Sequence, residues 1–314
     1  MKTVLLESLG ISEEKLLALE APLLAKGMNF VSYPRTNDKD ILKEELKDAD
    51  IAIVANMPLP DDVIRVCPSL RYIDVAFTGV DHIGLDAAKQ QNIVVSNASG
   101  YSNEAVAELA IGAVLEHYRY LPQVEANYRQ GKSKENYVGS EIQGKTVGII
   151  GLGKIGMRSA ELFHAFGATI LANKKHFSEV PSWITLTNLD EVLQKSDIVI
   201  LHCPLNDETR GLIDAAKLSM MKPTSMLLNL ARGPIVNAMD LAQALEKGTI
   251  GMAMSDVFDT EPPLTKDEPL LNAPHMIVTP HIGFMTKEAM ESRAQIVFEN
   301  LKYYLDGKPV NRVI

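Results

Sequence analysis

Short apolar runs alternate with amphipathic segments along the whole chain. In the N-terminal third, Val4-Leu5-Leu6 reads as a strand. Residues 12–26 read as a helix with Leu16, Leu17, Leu19 and Leu24 on its apolar side, and Ile51–Val54 as a buried strand. A helix near 61–67, a strand over 72–76, a helix near 85–91 and a strand over 93–95 complete this series. The longest helical pattern covers 102–120, with Ala105, Val106, Leu109, Ile111, Val114 and Leu115 apolar, and 130–134 reads as loop. A second series follows, with strands at 147–150, 169–172, 198–201, 226–229, 251–255 and 276–278. The tail reads as one more long helix over 286–305, where Thr286 suits the N-cap and Glu288 the first turn, and sequence order does not show which unit holds it. Strands apolar on both faces, separated by helices, predict parallel sheets covered on both sides: an α/β fold of two doubly wound units.

Composition narrows the function classes. The 314 residues are 46% hydrophobic and 23% charged, ordinary for a globular protein, with a formal net charge of −9. That balance provides no broad basic footprint, so neither nucleic acid nor a membrane surface is expected as a partner. Cys67 and Cys203 make no disulfide framework and no zinc spacing, no metal site is expected, and a reducing cytoplasm is the expected location. Val4-Leu5-Leu6 is too short for a leader core, and no uncharged run reaches the ~18 residues of a membrane span. The 13 methionines read as core fillers, His82 as a surface residue with ligand contact as the alternative, and His164 and His176 carry no clear signal.

The most specific motif is Gly151-Leu152-Gly153-Lys154-Ile155-Gly156, which follows the strand Thr146–Ile150 and opens an amphipathic helix. In that setting the glycines permit a tight turn, approach of a pyrophosphate and close helix–strand packing, while the helix N-terminus attracts the phosphates. An acidic residue about 20 positions beyond such a loop accepts the ribose hydroxyls of NAD. Here Asn173-Lys174-Lys175-His176 occupies that region, with Lys174 18 positions beyond Gly156. Two ammonium groups would attract a 2′-phosphate, so the reading leans to NADP(H) over NAD(H), with a solvated basic loop as the alternative.

Three strand ends then carry Arg232 in Asn229–Gly233, Asp256 and Glu261 in Ser255–Pro262, and His281 in Val278–Gly283. Ligands bind beyond the carboxyl ends of parallel strands. Arginine can grip a carboxylate with two bonds and polarise an adjacent carbonyl. A histidine can protonate a forming alkoxide, and a carboxylate on its far nitrogen fixes the tautomer and raises its pKa.

With these motifs the chain resembles the D-isomer-specific 2-hydroxyacid dehydrogenases. The resemblance implies a Rossmann-type nucleotide-binding domain over 100–286 and a flavodoxin-like substrate domain made of 1–99 and 287–314. It implies hinges near Ser99–Tyr101 and Phe284–Thr286 and closure about them during hydride transfer to a small 2-keto acid. It implies Arg232, Glu261 and His281 as the catalytic set, His281 being the acid/base, and Asp256 as the holder of the nicotinamide carboxamide. His202, Cys203, Pro204 and Thr209 would line the adenine and ribose side, with Cys203 a wall residue. Leu230 and Ala231 would present backbone to the nicotinamide, and Val106 would lie against the cofactor. Phe77, Thr78 and Gly79 resemble the loop that grips the substrate carboxylate. Phe77 and Phe284 stand where smaller residues are common, which leaves the substrate open. The 102–120 helix region would form a homodimer interface, and a chain ending at Ile314 would have no room for a regulatory C-terminal domain. A dinucleotide-sensing corepressor on the same fold is the alternative.

Overall fold

The computed structural model describes residues 1–134, 136–175, 179–260 and 264–314. The chain divides into two compact units, Met1–Ser102 with Phe284–Ile314, and Asn103–Gly283. Residues 100–102 and 284–286 thus join the first unit, three residues to either side of the boundaries expected from sequence. Ring packing draws them there: Phe284 meets Phe77 edge-on at 5.1 Å, and Tyr101 lies 6.2 Å from Phe77 and 6.4 Å from Phe284.

The first unit is a five-stranded parallel sheet of β1 (Lys2–Leu5), β2 (Asn29–Ser32), β3 (Ile51–Val54), β4 (Tyr72–Val75) and β5 (Val94–Asn97), in the order β2-β1-β3-β4-β5. That order is flavodoxin-like, with its switch point between β1 and β3. Its helices are α1 (Glu13–Leu24), α2 (Lys39–Leu46), α3 (Asp61–Ile64) and α4 (Leu85–Gln90), with α11 (Lys287–Leu305) returning to it. The hydroxyl of Thr286 caps α11 by accepting the N–H of Ala289 at 3.1 Å. Val297, Phe298 and Leu301 are fully buried, and the Phe298 ring packs 5.8 Å from that of Phe30.

The helix expected over 12–26 forms, but its buried side differs. Leu17 and Leu24 are exposed, whereas Leu23 and the carboxylate residue Glu20 are buried. Leucine count along a helix marks its hydrophobicity but not which stripe meets the sheet. The strand β2 and helix α2 went unread in the sequence. Two of the four β2 residues are exposed and the other two only part-buried, and α2 carries five charged residues in eight, so neither shows a strong apolar period.

The second unit is a seven-stranded parallel sheet: β6 (Thr146–Ile150), β7 (Thr169–Asn173), β8 (Ile184–Leu186), β9 (Ile198–Leu201), β10 (Met226–Asn229), β11 (Met252–Ser255) and β12 (Met276–Val278). The order β12-β11-β10-β9-β6-β7-β8 is the Rossmann arrangement with one strand added, its switch point lying between β6 and β9. Strand residues alternate between two cores. Val147, Ile149, Ile170 and Ile200 pack with Val114 of α5 (Asn103–Tyr118) and Phe163 of α7 (Lys154–Ala165). Ile150, Leu171, Val199 and Leu201 pack with Leu193 of α8 (Leu189–Lys195), Leu218 of α9 (Ala215–Leu218) and Leu241 of α10 (Ala238–Glu246). The long helix expected over 102–120 ends at Tyr118. Tyr120 adopts left-handed backbone (φ 52°), and α6 (Leu121–Arg129) begins in a new direction. Among the described residues no helix is long and apolar enough to cross a membrane.

Replacing Thr286 by alanine removes the α11 cap and should lower stability by about 1 kcal/mol, with serine restoring most of it. Urea unfolding of the three proteins measures this, and equal midpoints would exclude the cap as a contributor.

Candidate active site

At the switch point of the second unit, β6 runs into Gly151–Gly156. Gly151 has φ 96°, and a Cβ on it would stand 2.4 Å from the main-chain nitrogen of Cys203 after β9. A Cβ on Gly156 would stand 2.2 Å from the Gly151 carbonyl oxygen. Both positions therefore require glycine for packing. Gly153, the N-cap of α7, differs: a Cβ there would meet nothing within 4 Å, and no side chain caps the helix. A groove of about 520 Å³ opens beside it, lined in part by Leu152, Lys154 and Arg158. Exposed main-chain donors at an uncapped N-terminus facing open space fit a dinucleotide pyrophosphate. Lys154 is exposed and Ile155 half-buried.

The flanks of this turn are held by hydrogen bonds. The N–H of Gly151 donates to the Asn173 carbonyl at 3.0 Å, and the Asn173 amide donates to the Thr187 carbonyl at 3.1 Å. His202 Nε2 shares a 2.8 Å hydrogen bond with the hydroxyl of Ser159 on α7. Its Nδ1 is buried with no partner among the described residues, and burial pushes the imidazole down to about 4. Cys203 is buried and its thiol is pushed up to about 11, as suits a wall residue rather than a thiolate nucleophile. Thr209 donates its hydroxyl to the Pro204 carbonyl at 2.6 Å and so closes the 204–209 turn. At the expected ribose end, Lys174 is half-buried, and Lys175 is ion-paired with Glu208. His176 lies outside the described residues.

The exits of β10, β11 and β12 are adjacent in the sheet, and they bring Arg232, Asp256 and His281 to one edge. The buried Asn229 clasps the first exit: its Oδ1 accepts the Ala231 N–H at 3.2 Å, and its amide donates to the Arg232 carbonyl at 2.9 Å. Arg232 Nη1 donates to the Ala231 carbonyl at 2.8 Å. A Cβ on Gly233 would lie 2.0 Å from the Phe258 carbonyl carbon, so only glycine lets this turn pass the next exit. Leu230 is half-buried against the core under β6.

Asp256 is 2% exposed and organises the third exit. Its Oδ1 accepts from the Thr279 hydroxyl at 2.6 Å and the Ile282 N–H at 2.8 Å, and its Oδ2 accepts from the Gly283 N–H at 2.7 Å. Burial pushes the carboxyl above its usual range, while these donors hold it down. His281 sits between them at φ 57°, and its N–H donates to the Asp256 carbonyl at 2.8 Å. Left-handed backbone at a non-glycine residue persists only where the surroundings enforce it. Val106 of α5 lies 3.5 Å from where a Gly283 Cβ would stand, at the same exit. Glu261 lies outside the described residues. Among those described, no group of His, Cys, Asp and Glu suits a metal.

In the first unit, Phe77-Thr78-Gly79 follows β4. Phe77 is buried against Tyr101, Phe284 and His82. The Thr78 hydroxyl is buried with no hydrogen-bond partner among the described residues.

Residues 111–283 match the family described as D-isomer specific 2-hydroxyacid dehydrogenase, NAD binding domain. The chain belongs to that family. A hydroxypyruvate reductase of Blautia hydrogenotrophica is 34% identical over 294 residues, 90% of this chain and 91% of that protein. A D-3-phosphoglycerate dehydrogenase of Methanocaldococcus jannaschii is 36% identical over 282 residues, 88% of this chain but 53% of that protein, so the chain spans about half the length of this relative. The solved structure of an acyclic imino acid reductase in complex with NADPH and D-Arg superposes with a TM-score of 0.92 at 28% identity, covering 100% of both chains. The second unit contains all of residues 111–283 and is accordingly the NAD-binding domain of that family.

Ser159, Asn229 and Thr279 were not singled out in the sequence, although each holds a site residue. Asn229 had a readable signal, an amide residue three positions before Arg232 at a strand end. Ser159 had none.

The imidazole of His202 has a folded value below its ordinary 6.5, so the unfolded chain takes up the proton first as pH falls. Its stabilising contribution is complete above about 6.5 and drains away from there down to about 4. Melting temperature should fall across that window, and more shallowly in His202→Gln. Parallel curves for the two proteins would assign the slope to other groups.

Proposed function

We propose that this protein reduces a small 2-keto acid to the D-2-hydroxy acid, and runs the reverse oxidation, with His281 as acid/base, Glu261 as its partner and Arg232 as the carboxylate anchor. The observation that carries the reading is the gathering of Arg232 and His281 at the carboxyl edge of the nucleotide sheet, on the exits of β10 and β12 that flank the exit of β11, with His281 held in left-handed backbone by Asp256. A bound nicotinamide dinucleotide supplies or accepts the hydride. The guanidinium of Arg232 binds the substrate carboxylate with two bonds and draws electron density from the neighbouring carbonyl. His281 delivers a proton to the oxygen as the alkoxide forms and takes it back in the oxidation. To Glu261 we assign the role of favouring the imidazolium, which keeps the donor loaded. Asp256 presents one carboxylate oxygen to the carboxamide while its existing bonds hold it in place. The Phe77–Gly79 loop of the first unit, which we assign as the substrate domain, grips the carboxylate through main-chain N–H groups.

For the cofactor we favour NADP(H). In the sequence, Lys174 and Lys175 follow β7 where an NAD site carries its acidic residue. We assign the discrimination to Lys174, which stands 18 positions beyond Gly156, where the acid of an NAD site is expected. We further propose a cytoplasmic homodimer through the 102–120 helix region. Beyond it, α6 buries none of its residues, and Leu121, Tyr128 and Val138 are exposed.

His281→Ala should lower kcat by ~10²–10⁴ while the dissociation constant for the dinucleotide, read by fluorescence titration, stays within about twofold. Loss of nucleotide binding in step with activity would remove His281 from the chemistry. The assay pairs NADH and NADPH with glyoxylate, pyruvate, hydroxypyruvate and branched 2-keto acids. No turnover with any of them would favour the nucleotide-sensing alternative. Lys174→Asp should move the ratio of kcat/KM values from NADPH toward NADH, and an unchanged ratio would reject Lys174 as the discriminator.

A further inference from the structure

We infer that Asn97 is a positioning residue for substrate binding, and that the segment Val310–Ile314 and Asn300 of α11 lock it in place. The inference rests on the reading that the Phe77–Gly79 loop binds the substrate carboxylate. All of its parts lie within the first unit.

Asn97 ends β5 and pairs in register with Val75 at the end of β4, from which the loop departs. Two donors from this side hold the loop. The Ala98 N–H donates to the carbonyls of Val75 at 2.9 Å and Phe77 at 3.1 Å, and the Asn97 amide donates to the Thr78 carbonyl at 2.8 Å. In a planar trans peptide the carbonyl and the following N–H point in opposite directions. Drawing the Phe77 and Thr78 carbonyls toward β5 therefore turns the N–H groups of Thr78 and Gly79 away from it. These are the two donors at the centre of the candidate carboxylate grip.

Asn97 is itself over-determined. Its N–H donates to the Asn311 carbonyl at 3.0 Å, and its carbonyl accepts from the Asn300 amide at 3.2 Å. Asn300 is fully buried; its amide also donates to Asp74 Oδ1 at 3.0 Å, and its Oδ1 accepts from Asn311 Nδ2 at 2.9 Å. The segment around Asn311 is bound along β5: Ser96 Oγ donates to the Val310 carbonyl at 2.7 Å, and the Val313 N–H donates to the Val95 carbonyl at 2.7 Å. Asn311 adopts φ 50°, which aims its amide inward at Asn300 while its carbonyl meets Asn97. A chain of side-chain amides thus runs from residues 300 and 311 to the loop after β4, some two hundred positions earlier in sequence.

A carboxylate grip acts equally on the ground state and the transition state, so loosening it raises KM and leaves kcat in place. The test uses the full chain and whichever of glyoxylate, pyruvate and hydroxypyruvate the wild type turns over fastest. Asn97→Ala should raise KM on the order of tenfold, with kcat and the dinucleotide dissociation constant within about twofold. Asn311→Gly keeps the left-handed backbone accessible while removing the amide, and should raise KM in the same direction by a smaller factor. An unchanged KM in both variants overturns the inference. So does a fall in kcat, nucleotide affinity and melting temperature together, which marks a merely structural role. Absence of wild-type turnover on every keto acid is a separate result, and it sinks the underlying reading of the loop.

Discussion

The edge of the second unit that gathers Arg232, Asp256 and His281 depends on one buried carboxylate. Asp256 is almost wholly removed from water, and an ion in that position costs several kcal/mol unless its oxygens are filled by donors. Thr279, Ile282 and Gly283 supply them, and all three belong to the exit of the neighbouring strand. The same residue reaches backward as well, its N–H donating to the Asn229 carbonyl at 3.1 Å. Three strand exits become one rigid piece, and the unfavourable backbone of His281 is stabilised by the bonds on either side of it. Removing the charge would free the loop that carries the imidazole; removing the donors would leave a buried ion without partners.

The two units apply one topological rule with different outcomes. In each parallel sheet, the loops on either side of the switch point leave main-chain donors at the carboxyl edge. In the second unit these surround the Gly151–Gly156 turn, and the open space over Gly153 leaves room for phosphates. In the first unit the corresponding place is filled from within. The buried Glu7, after β1, accepts the N–H groups of Ala55 and Met57 at 2.7 and 2.9 Å and pairs with Arg35 at 3.2 Å. Those donors are satisfied, and at the next exit, after β4, the Thr78 hydroxyl lies buried and without a hydrogen-bond partner among the described residues. That difference agrees with membership of a dehydrogenase family in which only residues 111–283 match the nucleotide-binding description.

Much of this was legible in the chain itself, for identifiable reasons. Inner strands such as β3 and β9 are buried on two faces, so they appear as uninterrupted apolar runs. The glycine turn was legible because steric exclusion at Gly151 and Gly156 acts over a few residues. Arg232, Asp256 and His281 were legible as strand-end residues because the rule for parallel sheets converts position along a strand into position in space. The illegible parts were those with weak local signals. The helix α2 is mostly charged, β8 has only three residues, and the buried stripe of α1 passes through Glu20 and Leu23 instead of Leu17 and Leu24.

The amino-acid order by itself determined the two-sheet α/β class, the glycine turn after β6 and the placement of Arg232, Asp256 and His281 at strand ends, because each rests on periodicity or sterics within about ten residues. Only the tertiary structure decided that Glu208 takes up the charge of Lys175, that Ser159 meets His202, and that Asn300 and Asn311 reach Asn97. Those contacts join residues tens to hundreds of positions apart. A hydrogen bond across such a distance leaves no periodic trace in either partner's neighbourhood, and it comes into being only when the packed sheets bring the two together.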